Sequence, residues 1–486
     1  MDTELIVLYY LPMVLSEEDV RSIIREGEDC AVAFFVSLVG QINSLSERVT
    51  ELEDQLVKNS GNSSKPPSSD GFKKKPLEPM TTSLRKKSGK KVGGQPGHEG
   101  KTLEQVADPD DAIAYRPECC PDCQADLHDA IVIPGEVCRR QVVDIPAPKV
   151  FVTEHRALSV TCPGCGKACR GSFPEGVTQP VQYGANLLGL AVYLHSVHLV
   201  PFARCAQIMQ EITGTLFSPS CLDRALQTAY QKLEPFEAAV VQALADVGLK
   251  HADETGLRVK GKLHWFHVRC TERLSHLFPH EKRGSEAADD LADYTGILVS
   301  DFWTGYVKLS CRHAFCGAHL LRELKFQHEV KKQAWAENLI LLLEDAVAAC
   351  YAARARGSAK VWDRGRFAHE YDDLVSEGLR CNPPPECGKA SKAVNLLERL
   401  QRHKDSCLQF LRDLSVPFTN NEAERDLRML KVKGKISGGF RTTEGARRYC
   451  RLRSYTATCR KQDIPILQGL RALFRNELVM PRFVAE

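Results

Sequence analysis

No apolar run in this chain is long enough to cross a membrane as a helix. The longest, Leu5 to Leu15, is eleven residues and is interrupted by Pro12, against the ~20 that a spanning helix needs. Asp2 and Glu4 stand before it where an export signal would carry Lys or Arg, so it does not read as a signal peptide either. With 33 Gly, 25 Pro and 62 acidic residues among 486, collagen, a coiled-coil rod and a wholly disordered chain are excluded. A large excess of one charge is also missing: the net charge is +3, and only its distribution is informative. Nineteen cysteines without an export signal point to reduced thiols in the cytoplasm, with metal binding as the use of any cluster. The length suggests three or four folding units, at ~100–200 residues each.

Residues 1–30 carry no assignable signal. From Ala31 to Leu56 the residues Ala31, Phe35, Leu38, Ile42, Leu45, Val49, Leu52 and Leu56 recur at steps of four and three. That is a heptad seam, with Glu47, Arg48, Glu51, Glu53 and Asp54 on the wet faces, and it predicts a coiled coil over 31–58 that pairs two copies of the chain. Residues 59–105 are rich in Pro, Gly and Ser. The stretch 58–101 holds eleven Lys or Arg, including Lys73, Lys74 and Lys75, against Asp70, Glu78 and Glu99. It cannot bury apolar surface and is expected to be a disordered basic linker, either a spacer or a sequence-independent phosphate contact.

The segment 106–178 contains Cys120-Pro-Asp-Cys123 and, thirty-eight residues on, Cys162-Pro-Gly-Cys165. Two such knuckles can close a four-thiolate structural Zn²⁺ site of zinc-ribbon type. Cys119 and Cys169 adjoin them as alternative ligands, and redox-active or simply buried thiols are the competing reading. Between the pairs, Arg140–Ile145 and Lys149–Arg156 alternate and are read as strands. Residues 179–246 read as helical. Leu187, Leu188, Leu190, Ala191 and Leu194 fit one face of a first helix. A second helix near 202–212 reaches a turn at Thr213-Gly214, and Ser218-Pro219 opens a third as N-cap and N1. This is either a helix-turn-helix or plain helical packing.

From 247 to 330 the pattern becomes that of an α/β core. Leu249 to Gly256, with Asp253 inside it, Lys262 to Val268, and Leu274 to Phe278 read as an antiparallel meander. A helical stretch follows, and then Gly296-Ile-Leu-Val-Ser-Asp301. The last is a short apolar strand of buried, parallel type with a carboxylate at its end. That order is expected of a ribonuclease-H-like mixed sheet, in which active groups gather at the carboxyl ends of the parallel strands. Asp301 stands there, and Asp253 can be brought beside it from the first strand. Two close carboxylates repel unless a cation intervenes, and hard oxygen ligands suit Mg²⁺ or Mn²⁺. Residues 331–415 are Leu-, Ala- and Glu-rich and read as helices.

Residues 416–460 contain, from Thr419, Thr-Asn-Asn-Glu-Ala-Glu-Arg. Asn420 or Asn421 can cap a helix whose first turn holds Glu422 and Glu424. Ten Lys or Arg follow between 425 and 453, against Asp426 and Glu444. Among them Arg425, Arg428, Lys431, Lys433, Lys435 and Arg441 are candidate contacts to a DNA backbone. Residues 461–486 complete the chain with a further helix.

Taken in order, the heptad helix, KNSGNSSKPPSSDG, GGQPGHEGKTL, CPDC and CPGC, HADETG, LVSDFWTGY and TNNEAERDLR resemble the IS66 family of insertion-sequence transposases, over about residues 31–460. The resemblance implies a DDE recombinase with a ribonuclease-H-like core interrupted by a helical insertion. Its triad would be Asp253, Asp301 and Glu424, the resemblance selecting Glu424 over Glu422. Positions three and four beyond Glu424 are Leu427 and Arg428, an apolar anchor and a cation. Those beyond Glu422 are Arg425 and Asp426, which would put another carboxylate near the metal or in solvent. The implied reaction is metal-dependent phosphodiester cleavage at the element's ends followed by strand transfer, and the implied partners are end DNA, target DNA, a second copy of the chain and other proteins of the element. Cys316-Gly-Ala-His319 resembles a C-x-x-H element that accompanies the second Asp in such enzymes. From the residues alone, a non-catalytic DNA-binding regulator, or a nuclease that cleaves without joining, would use the same parts.

Overall fold

Lys260 and Gly261 both adopt positive φ (50° and 77°). A two-residue turn of this kind matches the right-handed twist of its flanking strands and closes a tight hairpin. It joins β3 (Leu249–Val259) to β4 (Lys262–Cys270), with Val259 paired to Lys262 and His251 to Cys270. The first strand therefore continues three residues beyond Gly256, where the sequence pattern ended it, because the cross-strand ladder carries it to the turn. The computed structural model of the chain describes residues 21–22, 24–25, 27–59, 62–63, 103–133, 138–145, 148, 150–384 and 390–483. The apolar run Leu5–Leu15, most of the basic linker, and Lys73, Lys74 and Lys75 lie outside them. Among the described residues no helix is long and apolar enough to cross a membrane. The chain falls into two units, one formed mainly by Pro235–Asp463, the other by Ser83–Glu234 together with Ile464–Met480.

The N-terminal helix α1 (Glu28–Val57) is grouped with the first unit. Its seam is exposed in the single chain: Phe35, Ile42, Leu45, Val49, Leu52 and Leu56 are each 45–80% accessible. Asp54, expected on a wet face, is instead 5% exposed and bonded to Lys331 Nζ at 2.7 Å and Lys392 Nζ at 2.9 Å. Burial alone would raise its carboxyl; the two ammonium groups outweigh that and hold it below its ordinary value.

In the second unit the strands are short. β1 (Ser159–Thr161) pairs antiparallel with β2 (Ala168–Arg170) around the second cysteine pair. The alternating stretches Arg140–Ile145 and 150–156 form no strands: Val142, Ile145, Phe151 and Val152 are each 80–93% exposed. Alternation makes a strand only where a neighbouring backbone completes the ladder. The helices α2 (Ala185–Ser196), α3 (Phe202–Thr213) and α4 (Pro219–Lys232) lie where the sequence predicts. Gly214 at φ 67° ends α3, and Ser218 Oγ accepts the Cys221 N–H as the cap of α4. The buried residues of α2 are Gly189, Ala191, Val192, His195 and Ser196; of the expected face Ala191 is fully buried and the four leucines only half-buried. A Cβ on Gly189 would stand about 3 Å from the Arg471 backbone, so the C-terminal helix Ile466–Phe474 crosses α2 where only glycine allows it.

The main stretch of the first unit begins in α5 (Glu234–Ala245), whose Phe236 packs edge-on against Tyr455. Its mixed sheet runs β5 (Ser275–His280), β4, β3, β6 (Ile297–Ser300), β7 (Arg312–Phe315). A 3₁₀ helix (Ser285–Leu291) leads into β6, and α6 (Thr304–Val307) links β6 to β7. α7 (Gly317–Glu329) is followed by the predicted helical segment: α8 (Ala334–Ala355), α9 (Arg364–Cys381), α10 (Lys392–Arg402), α11 (Lys404–Cys407) and α12 (Gln409–Arg412). The chain returns through α13 (Asn421–Ser437), a two-residue strand β8 (Gly439–Phe440) and α14 (Thr443–Lys461). One edge of β3 is shared: β6 pairs parallel with residues 249–251, and β8 pairs parallel with Arg258 and Val259. The six residues between them have no strand partner on that edge among the described residues. The sheet's outer edge is closed by a helix: Thr458 Oγ1 accepts the Ser275 N–H at 3.0 Å, and Ser454 Oγ accepts the Leu277 N–H at 2.8 Å. A row of hydroxyls on α14 thus completes the open edge of β5.

Candidate active site at the ends of the parallel strands

Register decides where the two aspartates lie. His251 is level with Val299 in the parallel pair β3–β6, and Val299 is level with Ala314 in β6–β7. The β3–β6 ladder ends at His251–Val299 and the β6–β7 ladder at Ser300–Phe315. Asp253, Asp301 and Cys316 each follow within two residues of these last paired positions, and Cys316 N–H bonds Ser300 O at 2.8 Å beside Asp301. Both aspartates are braced locally: Asp253 Oδ1 accepts the Glu254 N–H at 2.8 Å, and Asp301 Oδ1 accepts the Trp303 N–H at 2.9 Å. Glu424 is on the first turn of α13, and its Oε1 lies 3.8 Å from His319 Nε2. That oxygen is buried and has no hydrogen-bond partner.

The three carboxylates act on one another. Burial, then the charges of Glu254 and Asp301, with a smaller contribution from Glu424, push the Asp253 carboxyl up to about 8. Burial holds His319 below its ordinary value, against the pull of Asp301 and Glu424. Among the described residues no three His, Cys, Asp or Glu side chains come close enough to share one metal ion as they stand.

Glu422 points elsewhere. It pairs with Arg425 at 3.2 Å and lies 3.7 Å from Lys461 Nζ. Asp426, expected near a metal or in solvent, does neither. It is 5% exposed and accepts bonds from Lys461 Nζ (2.9 Å) and Ser275 Oγ (2.5 Å). On the opposite face of β3, Glu254 receives the Arg283 guanidinium at 2.8 Å, and that guanidinium lies over Trp265 and Trp303. This cluster, and the contact of Asn420 Oδ1 with His251 Nδ1 at 2.8 Å, carry no periodic signature; only the presence of His251 and Glu254 within the HADETG phrase hinted at them.

Residues 180–448, more than half of the chain, match the model of the transposase IS66 family. The chain belongs to that family. Residues 117–166 match the zinc-finger binding domain of transposase IS66, and residues 16–104 match a family of unknown function (DUF6444). No curated protein matches the chain. As an IS66 transposase it is a DNA-binding enzyme of transposition, and its zinc-finger region spans both cysteine pairs. Each pair forms a knuckle. Gln124 N–H bonds Cys120 O and Gly166 N–H bonds Cys162 O, at 2.9 and 2.8 Å. Backbone N–H groups of the same loops lower the Cys120 and Cys162 thiols, which favours the thiolates that zinc requires.

The cations of the transposase's basic stretch separate by burial. Arg428, Lys431, Lys435 and Arg441 are exposed. Arg425 is held by Glu422, and Lys433 lies over the Phe440 ring, its ammonium lowered by burial. Arg451 and Arg453, counted in the same stretch, are buried, Arg451 in an ion pair with Glu237 at 2.5 Å. Arg451 thus holds α14 to α5, while Arg453 is 3% exposed, so neither is open to phosphate.

Proposed function

We propose that this transposase cleaves the ends of its element and joins them to target DNA with Asp253, Asp301 and Glu424 as a DDE triad on a ribonuclease-H-like sheet. The observation that carries the reading is that Asp253 lies just past the last β3–β6 pair and Asp301 just past the end of β6, with the Asp253 carboxyl in the field of both Asp301 and Glu424. The order of three antiparallel strands followed by parallel β6 and β7 supports the fold assignment.

The donor set fits hard divalent cations, Mg²⁺ or Mn²⁺. Three carboxylates repel one another, one is driven towards protonation, and a buried Glu424 oxygen lacks a partner; a cation relieves all three. Bound there, such ions supply an activated water or 3′-hydroxyl and neutralise charge on the scissile phosphate and the leaving oxygen. The Trp303 and Glu254 N–H bonds hold the two aspartates in place. Arg428, Lys431, Lys435 and Arg441 neutralise substrate phosphates, Lys73, Lys74 and Lys75 add sequence-independent attraction, and Arg425 and Lys433 contribute less because they are already engaged. Cys120, Cys123, Cys162 and Cys165 hold a structural Zn²⁺. The exposed seam of α1 pairs two copies so that two ends are held together.

A cleavage-and-joining assay on the element's own end DNA tests this. Asp253→Asn, Asp301→Asn and Glu424→Gln should each abolish Mg²⁺-dependent cleavage while end binding survives, and Glu422→Gln should keep most activity. Cleavage without joining by the unaltered chain would make it a nuclease, and activity in Glu424→Gln would show the wrong carboxylate.

A further inference from the structure

Asn420 occupies the N-cap position of α13 but makes no side-chain capping bond. Its amide turns into the sheet, where it is 2% exposed. Nδ2 donates to the Ala252 carbonyl at 2.8 Å, and Oδ1 lies 2.8 Å from His251 Nδ1. Only an NH₂ can face that carbonyl, so Oδ1 accepts and His251 carries its proton on Nδ1. The backbone N–H of Asn420 donates to Cys316 Sγ at 3.2 Å, and its carbonyl accepts the Glu424 N–H at 3.1 Å. Next to this, Gly317 N–H donates to the Phe418 carbonyl at 2.8 Å, and a Cβ on Gly317 would collide with the Phe418 ring.

One residue therefore joins three elements that bear on the site: β3, the junction of β7 with α7, and α13. Ala252 precedes Asp253. Cys316, whose N–H bonds Ser300 O next to Asp301, is the N-cap residue of α7, which carries His319. Glu424 is four residues into the helix that Asn420 begins. A device of this kind is needed because 123 positions separate Asp301 from Glu424, so no short loop sets the entry of α13, and mutual repulsion of the carboxylates works to push it away. The point of entry is the stretch of β3 that, among the described residues, has no strand partner between β6 and β8.

We propose that Asn420 is the positioning residue of the site, setting Glu424 against Asp253 and Asp301 with Cys316 as its anchor; this rests on the triad reading above. Removing the amide strands a buried N–H and a buried carbonyl and frees α13 to shift, and a shift of ~1 Å at a reacting centre is worth about 10²-fold in rate.

The test uses the full-length chain. Asn420→Ala should bind end DNA like wild type without metal, cleave about 10²-fold more slowly, and bind Mn²⁺, followed by electron paramagnetic resonance, about tenfold more weakly. Cys316→Ala should move both readouts the same way, and Cys316→Ser, which keeps an acceptor, should restore them. His251→Ala with Asn420→Ala should be no worse than Asn420→Ala alone, since the two act as one unit. Wild-type cleavage in Asn420→Ala, or lost cleavage with unchanged Mn²⁺ affinity, overturns the proposal. If Asn420→Ala does not fold, the Cys316 pair decides: wild-type behaviour in Cys316→Ala overturns it. Activity in Asp253→Asn or Glu424→Gln would instead overturn the triad, so the two failures are distinct.

Discussion

Asp253→Asn removes the charge from the most strongly perturbed carboxyl while keeping its shape. In the folded chain that carboxyl is pushed up to about 8, by burial and by the charges of Glu254, Asp301 and Glu424. In the unfolded chain an aspartate titrates near ~3.9. Between those values the folded state holds a proton that the unfolded state has released, so stability falls as pH rises and levels off above about 8. At about 1.4 kcal/mol per pH unit the ceiling is about 6 kcal/mol. Asp253 keeps some exposure to solvent, which reduces the expected effect to about 2–3 kcal/mol. Asparagine has nothing to ionise there. In EDTA, thermal unfolding of the variant and the wild type should therefore diverge between about pH 5 and pH 9, with the variant melting about 5–10 °C higher relative to wild type at the upper end. Added Mg²⁺ at pH 9 should raise the wild type and leave the variant almost unmoved, because only the intact carboxylates bind the ion. Parallel pH profiles for the two proteins in EDTA would refute the reasoning, because the aspartate would then carry no burial or repulsion cost to remove.

Metal analysis of the chain purified without chelator should find one zinc, absent from Cys120→Ser and Cys162→Ser along with the protease resistance of 117–166, since structural zinc in small fingers is worth ~10–16 kcal/mol; a zinc-free wild type would rule out the four-thiolate site. Replacing Leu45 and Leu52 together with Lys should halve the mass seen by light scattering, and an unchanged mass would mean that the α1 seam does not join the two copies. Lys431→Ala with Lys435→Ala should flatten the salt dependence of DNA binding by ~0.9 for each phosphate no longer neutralised, whereas an unaltered slope would remove these residues from the interface. Lys461→Met should destabilise the first unit by about 3–5 kcal/mol by leaving the Asp426 carboxylate buried and unpaired. Adding Asp426→Asn should recover part of that stability in denaturant unfolding, and equal stability of the single and double variants would count against the pairing.

The features legible before folding were local ones. Gly214 ended a helix because glycine tolerates a left-handed residue, Ser218-Pro219 began the next because a hydroxyl and a fixed φ suit a helix start, and the heptad from Ala31 made one long helix. A short apolar strand ending in Asp301 was legible for the same reason: burial on both faces leaves a continuous hydrophobic run. The tertiary structure decided whatever depended on a partner far along the chain. Periodicity says which side of its own element a residue takes, but not what waits there. Asp54 was placed on a wet face and meets Lys331 and Lys392. Asp426 meets Lys461, and Arg451 meets Glu237, so three charges in solvent-like surroundings by pattern are buried by pairing. The stretches around Val142 and Val152 alternate like strands and remain unpaired, since a strand exists only with a neighbour. Asn420 is the sharpest case: a residue that reads as a helix cap satisfies instead a carbonyl and a histidine about 170 positions earlier, because only the folded chain brings its amide to β3.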